Sequence, residues 1–222
     1  NVRGTINVLE AARKSGVKRV IYGSTIWAYS DTISGSGILD EDAPLSVPSH
    51  LYTATKLAGE YYCKAYHELY DLDYTILRYG IPYGPRAREG AVIPIFVRKA
   101  LNKELITIAG DGMQFRKFVY VEDLAEGNVL ALTDIAKNKV YNLEGKEKIT
   151  IRQIAETILN ILGEGEIRYT EGRPADFSGK EISAERAKKE LGWSAHTPFK
   201  EGLSKYIEWH KNILKETKEI SI

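Results

Sequence analysis

The chain has 222 residues, 43% of them hydrophobic, and sets 31 Lys and Arg against 30 Asp and Glu for a net charge of +1. That length supports one sizeable core or two small ones, and the balanced charge gives no electrostatic reason to expect nucleic acid or an anionic membrane as partner. Cys63 is the only cysteine, so no disulfide can form within these residues, which fits a reducing, cytoplasmic setting. No apolar run approaches the ~20 residues that span a bilayer, and residues 1–16 do not read as a signal peptide. The four histidines (50, 67, 196 and 210) lack the spacing of a metal site, so no metal is expected.

The opening segment "NVRGTINVLEAARKSG" reads as a helix over 1–15, with Val2, Ile6 and Leu9 on one face. A strand follows at once over 18–23. So abrupt a helix-to-strand step resembles the middle of an α/β repeat rather than its start, and a fragment is expected. A loop rich in Ser, Gly, Asp and Pro covers 30–50. A long helix over 52–70 follows, with an apolar stripe of Ala54, Leu57, Ala58, Tyr61, Ala65 and Leu69. "DYTILRYG" (73–80) reads as the next buried strand, which makes the first part βαβ-like with a parallel sheet. Further on, helices are expected near 93–102, 121–134, 150–162, 183–191 and 199–216. Short strands are expected near 105–108, 117–120, 139–143 and 166–169. The expectation is a doubly wound sheet lacking its N-terminal strands (1–85), followed by a smaller α+β lobe (86–222) with some segments returning to the main sheet.

Within the 52–70 helix, Tyr52 and Lys56 stand one turn apart on one face, where an ammonium favours an ionised phenol. A chain with fourteen tyrosines and many lysines holds such a pair by accident, so the spacing alone leaves a surface ring and charge as open as a catalytic pair. Thr25, at the end of the first strand, is by itself an ordinary polar residue. Ser24 beside it should point to the other face, because strand side chains alternate.

Seven segments occur in order: "NVRGTINVLEAA", "YGSTIWAY", "YTATK", "LRYGIPYGPR", "GDGMQFRKFVYVEDLAEG", "GRPAD" and "AKKELGW". Together they resemble the extended short-chain dehydrogenase/reductase family, in its NAD-dependent epimerase/dehydratase group, from residue 1 to about 210. The resemblance implies a Rossmann-like fold with NAD as cofactor and a nucleotide sugar, most simply a UDP-sugar, as substrate. It makes Tyr52 the catalytic acid and base. Lys56 tunes that tyrosine and holds the nicotinamide ribose, and Thr25 binds the reacting oxygen. Tyr79, Pro82 and Asn1 match positions that line the cofactor. Arg116 and Arg173 match arginines that grip the diphosphate, and a guanidinium fork suits phosphate oxygens. Asp176 matches an acidic residue near the nucleotide ribose.

Departures from the family pattern matter as much. Sugar-nucleotide 4,6-dehydratases carry Asp then Glu after the threonine, whereas this chain has Ile26 and Trp27, which cannot move a proton. A sugar-nucleotide 4-epimerase of the UDP-glucose/UDP-galactose type is therefore expected, with a keto-sugar reductase as the alternative. Ile81 and Ala91 stand where the family often has asparagines that help hold the sugar diphosphate. The family's glycine-rich turn and ribose-reading acid lie upstream of the segment matching Asn1. "SGSGILDED" (34–42) has no strand feeding it and no apolar helix following it, as a phosphate loop needs. The chain as it stands is expected to bind NAD poorly and to be inactive alone. Family members usually dimerise through two helices per subunit, here 1–15 and 52–70, with Tyr61, Tyr62 and Tyr66 as candidate interface rings.

Overall fold

The computed structural model describes residues 1–32, 37–172 and 180–220, with side chains described as far as Lys215. Two compact units form. One comprises residues 1–80, 122–144 and 180–195, and the other comprises 81–121, 145–179 and 196–222.

The first unit begins with α1 (Val2–Lys14), which buries Leu9 and Ala12. Next comes β1 (Arg19–Thr25), which ends two residues later than the sequence pattern suggested. The strand ends because the Thr25 side chain accepts from the Trp27 amide at 3.2 Å, turning the chain into a single 3₁₀ turn over Ile26–Tyr29. Helix α2 (Leu51–Tyr70) is capped by His50, whose Nδ1 accepts from the Tyr52 amide at 3.2 Å. It stops at Asp71, which adopts the left-handed conformation (φ 55°) that closes many helices. Strand β2 (Asp73–Tyr79) then lies parallel to β1.

The chain crosses into the second unit at Ile81. Residues 81–85 therefore go with that unit rather than with the expected 1–85 segment, because β3 (Ile81–Tyr83) pairs with a later strand of the same unit. There follow α3 (Val92–Leu101), β4 (Ile106–Ala109) and β5 (Phe115–Tyr120), which is β3's partner. Helix α4 (Val121–Leu130) and β6 (Lys139–Leu143) return to the first unit, where β6 completes the parallel order β1-β2-β6. Strand β7 (Lys148–Thr150) runs antiparallel to β5, and Thr150 and Gln153 cap α5 (Ile151–Leu162) reciprocally. Strand β8 (Ile167–Thr170) pairs parallel with β4, and α6 (Phe199–Ile220) closes the described chain.

The sequence pattern did not contain β3 and β7, each only three residues long. The helix expected over 183–191 is replaced over Ala187–Leu191 by a π turn. It is closed by Gly192 in the left-handed region and by the Trp193 amide on the Ala187 carbonyl. The buried Trp193 indole donates to the Asp123 carbonyl at 2.7 Å, tying this turn to α4.

In the first unit, Leu9, Ala12, Cys63, Leu72 and Ile76 pack where α1 and α2 cover the sheet. The face that α2 buries carries Thr53, Leu57, Gly59, Glu60 and Cys63. This corrects the expected stripe: Leu57 is buried, but Tyr61, Ala65 and Leu69 are exposed. Two stripes run side by side on α2, and the one against the sheet is the less apolar because it carries a glycine and a glutamate. The second unit has its own core around Ile93, Val97, Ile106, Ile154 and Leu203. Among the described residues, no helix is long and apolar enough to cross a membrane.

Candidate active site

In an open parallel sheet, the carboxyl ends of the strands are where ligands bind. Thr25 and Tyr79 occupy those ends of β1 and β2 and stand directly opposite each other in register. The first turn of α2 carries Tyr52, which is 43% exposed and so open to a ligand. One turn on, the Lys56 Nζ lies 5.9 Å from the centre of the Tyr52 ring and 5.4 Å from that of Tyr22. The same Nζ donates to the Gly23 carbonyl of β1 at 2.9 Å. Burial lowers the Lys56 pKa from its usual value. Thr25 lies two residues beyond Gly23, about 7 Å along the strand.

Thr25 is buried, and its hydroxyl oxygen already accepts from the Trp27 amide, which leaves its hydrogen to be donated elsewhere. Tyr79 lays its ring against Gly23. A Cβ there would come within 2.8 Å of the ring's Cε2, so only glycine permits this contact. The Tyr79 hydroxyl donates to Asn128 Oδ1 at 2.6 Å, and burial raises its pKa. Asn1 donates from Nδ2 to Thr55 Oγ1 at 3.0 Å, and Thr55 donates to the Tyr52 carbonyl at 2.8 Å, so α1 braces the first turn of α2.

Lys56 is thus linked directly to Tyr52 and to β1, with Thr25 and Tyr79 at the ends of adjoining strands and Asn1 reaching α2. Pro82 and Arg116 belong to the second unit. Pro82 is exposed on β3. Arg116 is half-buried on β5, where its Nη1 donates to the Phe115 carbonyl at 2.7 Å. Arg173 and Asp176 lie outside the described residues, as does part of the 34–42 segment. Among the described residues, no group of three or more His, Cys, Asp or Glu is placed to hold a metal ion.

Sequence reading passed over two features. Tyr22 is the second ring beside Lys56, and burial pushes its pKa up to about 12, so it stays neutral. Beneath the site lies a buried polar cluster of Ser24, Tyr29, Glu60, Arg78 and Asn142. Its signal was present in the sequence: an arginine inside the apolar run "YTILRYG" has to find a buried acid, and Glu60 follows Lys56 by one helical turn.

A model of the NAD dependent epimerase/dehydratase family matches residues 1–143. The UDP-glucuronate 4-epimerase of Thermodesulfobacterium geofontis is 32% identical over all of this chain and 68% of its own length. A putative UDP-glucose 4-epimerase of Methanocaldococcus jannaschii is 34% identical over 96% of the chain and 69% of its own length. The crystal structure of UDP-glucose 4-epimerase from Thermotoga maritima with UDP-glucose superposes with a TM-score of 0.88 at 31% identity, covering 95% of this chain and 69% of that one. The chain therefore spans about two thirds of the length of these relatives, and it belongs to the NAD-dependent epimerase/dehydratase family of extended short-chain dehydrogenases/reductases.

Proposed function

We propose that the protein is a sugar-nucleotide 4-epimerase of the UDP-glucose/UDP-galactose type. The observation that carries this reading is the Lys56 ammonium, poised between the Tyr52 ring and the Gly23 carbonyl at the carboxyl end of a parallel strand. A phenol and a cation on one helix turn, with a hydroxyl at the end of the strand that the cation touches, are groups able to move a proton on and off a sugar hydroxyl. The donor chemistry also fits the nicotinamide-ribose end of NAD, since the half-buried ammonium has donors beyond the one given to Gly23 and a ribose diol accepts such bonds. When bound, NAD supplies first the acceptor and then the donor of hydride at C4 of the sugar.

Tyr52 takes the proton from the 4-hydroxyl as C4 is oxidised and returns it when C4 is reduced on its other face. Lys56 holds the ribose beside Tyr52, while Thr25 donates to the sugar oxygen. We assign Tyr79, Pro82 and Asn1 to the cofactor's surroundings, Arg116 and Arg173 to the diphosphate, and Asp176 to the nucleotide ribose, on the family resemblance. Ile26 and Trp27 cannot supply the acid and base that eliminating water requires, which favours epimerisation within a family that also holds dehydratases. A homodimer built on α1 and α2 accords with the exposure of Val8, Tyr61 and Leu69 on those helices.

The test is product analysis with the complete protein, loaded with NAD and given UDP-glucose, since these residues alone are expected to bind NAD poorly and to be inactive. UDP-galactose should form with no net accumulation of reduced nicotinamide. Stoichiometric reduction of NAD with no second sugar nucleotide would instead identify a dehydrogenase.

A further inference from the structure

We propose that Glu60 and Arg78 act as a positioning pair, fixing α2 on β2, with Ser24 tying it to β1, so that Tyr52 and Lys56 meet the strand end carrying Thr25. This rests on the epimerase reading for what is positioned, but not for the geometry that positions it. Ser24, Arg78 and Asn142 stand side by side in one rung of the parallel sheet, one residue short of Thr25, Tyr79 and Leu143. Over that rung sit Glu60 from α2 and Tyr29 from the 3₁₀ turn. Arg78 grips Glu60 through Nε at 3.0 Å and Nη2 at 2.8 Å, with both side chains 3% exposed. Ser24 Oγ donates to Glu60 Oε1 at 2.5 Å. Arg78 Nη1 donates to the Tyr29 hydroxyl at 2.6 Å, which donates on to Asn142 Oδ1 at 2.9 Å. Asn142 is held in turn by its amide on Glu41 and its side chain on the Ser183 carbonyl.

Three members of this cluster lie close to residues of the candidate site along the chain. Glu60 is one turn after Lys56 on the same helix face, Ser24 precedes Thr25, and Arg78 precedes Tyr79. A buried ion pair is a poor source of stability, because desolvation offsets most of its Coulombic gain and an apolar pair of similar volume does as well. Its bidentate geometry is another matter, since it admits one register only. Apolar contacts between α2 and the sheet tolerate sliding, whereas this fork does not. A displacement of about 1 Å at a reacting centre costs on the order of a hundredfold in rate.

The experiment uses Glu60→Gln in the complete protein loaded with NAD, alone and combined with Tyr52→Phe. For Glu60→Gln, kcat should fall by about tenfold or more while KM for the sugar nucleotide stays within about threefold. In the Tyr52→Phe background the same change should cost less than about twofold, because a residue acting through Tyr52 has nothing left to act on. Amide exchange should quicken in residues 52–57 and not along the remainder of α2 or β2. Losses that multiply, a kcat within about twofold of the parent, or exchange raised evenly through the unit would each overturn the proposal. If Glu60→Gln does not fold, Ser24→Ala replaces it and should show the same pattern more weakly. A Tyr52→Phe protein with undiminished activity would sink the epimerase reading, while the exchange pattern would still decide the positioning role.

Discussion

Replacing Gly59 by alanine sets two opposing effects against each other at the contact that seats α2 on β1. Alanine is better than glycine in a helix interior by about 1 kcal/mol, so propensity alone predicts a gain. Yet a Cβ on Gly59 would lie 2.0 Å from the Tyr22 hydroxyl and 2.3 Å from its Cζ. The ring cannot simply swing away, since its hydroxyl donates to the Lys56 carbonyl at 3.3 Å and its face lies under the Lys56 ammonium. Overpacking of this kind costs about 1–3 kcal/mol, and so deep an overlap belongs at the upper end. The net expectation is a loss of about 1–2 kcal/mol, or a Tm lower by about 2–8 °C for a chain of this size. Gly4 supplies the control, being helical with nothing within 4 Å of an added Cβ. There alanine should stabilise by about 0.5–1 kcal/mol. Urea unfolding of both variants tests the pair, and in a Tyr22→Ala background Gly59→Ala should become neutral or favourable. A Gly59→Ala protein as stable as Gly4→Ala would refute the close seating of α2.

Arg78→Met should destabilise by about 3–5 kcal/mol in equilibrium unfolding, because it strands the Glu60 carboxylate in a buried site; a loss below about 1 kcal/mol would mean that water reaches that carboxylate. Thr150→Ala should cost about 1 kcal/mol through loss of the capping box that starts α5, again read from urea unfolding. Glu10 carries the clearest acid dependence: Arg13 and Lys14 hold its pKa down to about 2 from an ordinary 4.5. A carboxylate depressed in the folded state contributes stability above its unfolded pKa and loses it as pH falls toward the folded one. The Tm of the parent should therefore drop more between pH 4.5 and about 2 than that of Arg13→Gln, as followed by circular dichroism.

Much of the first unit was legible because its signals are local. The helical period of residues 1–15, the apolar run of "DYTILRYG" and the one-turn spacing of Tyr52 and Lys56 each fix structure within a few residues. Strands β3 and β7 escaped because three residues are too few to show a period, and each forms only by pairing with β5. The buried face of α2 was misjudged because its contacts are set by Arg78 and Tyr22 on other elements, which make Glu60 and Gly59 the residues that fit. The buried cluster follows the same logic. It is assembled from five separate segments, and only the isolated arginine in an apolar strand betrays it. Turning Ser24 away from the face of Thr25 needed alternation alone, whereas the link from Lys56 to the Gly23 carbonyl required the packing of α2 on β1.

The most direct measurement is the rate of UDP-glucose and UDP-galactose interconversion by the complete, NAD-loaded protein with Tyr52→Phe. Removing the one hydroxyl that shuttles the proton should slow the reaction by about 100-fold or more, with the fold and NAD binding intact. A rate within about tenfold of the parent would contradict the role given to Tyr52 and, with it, the account of this site.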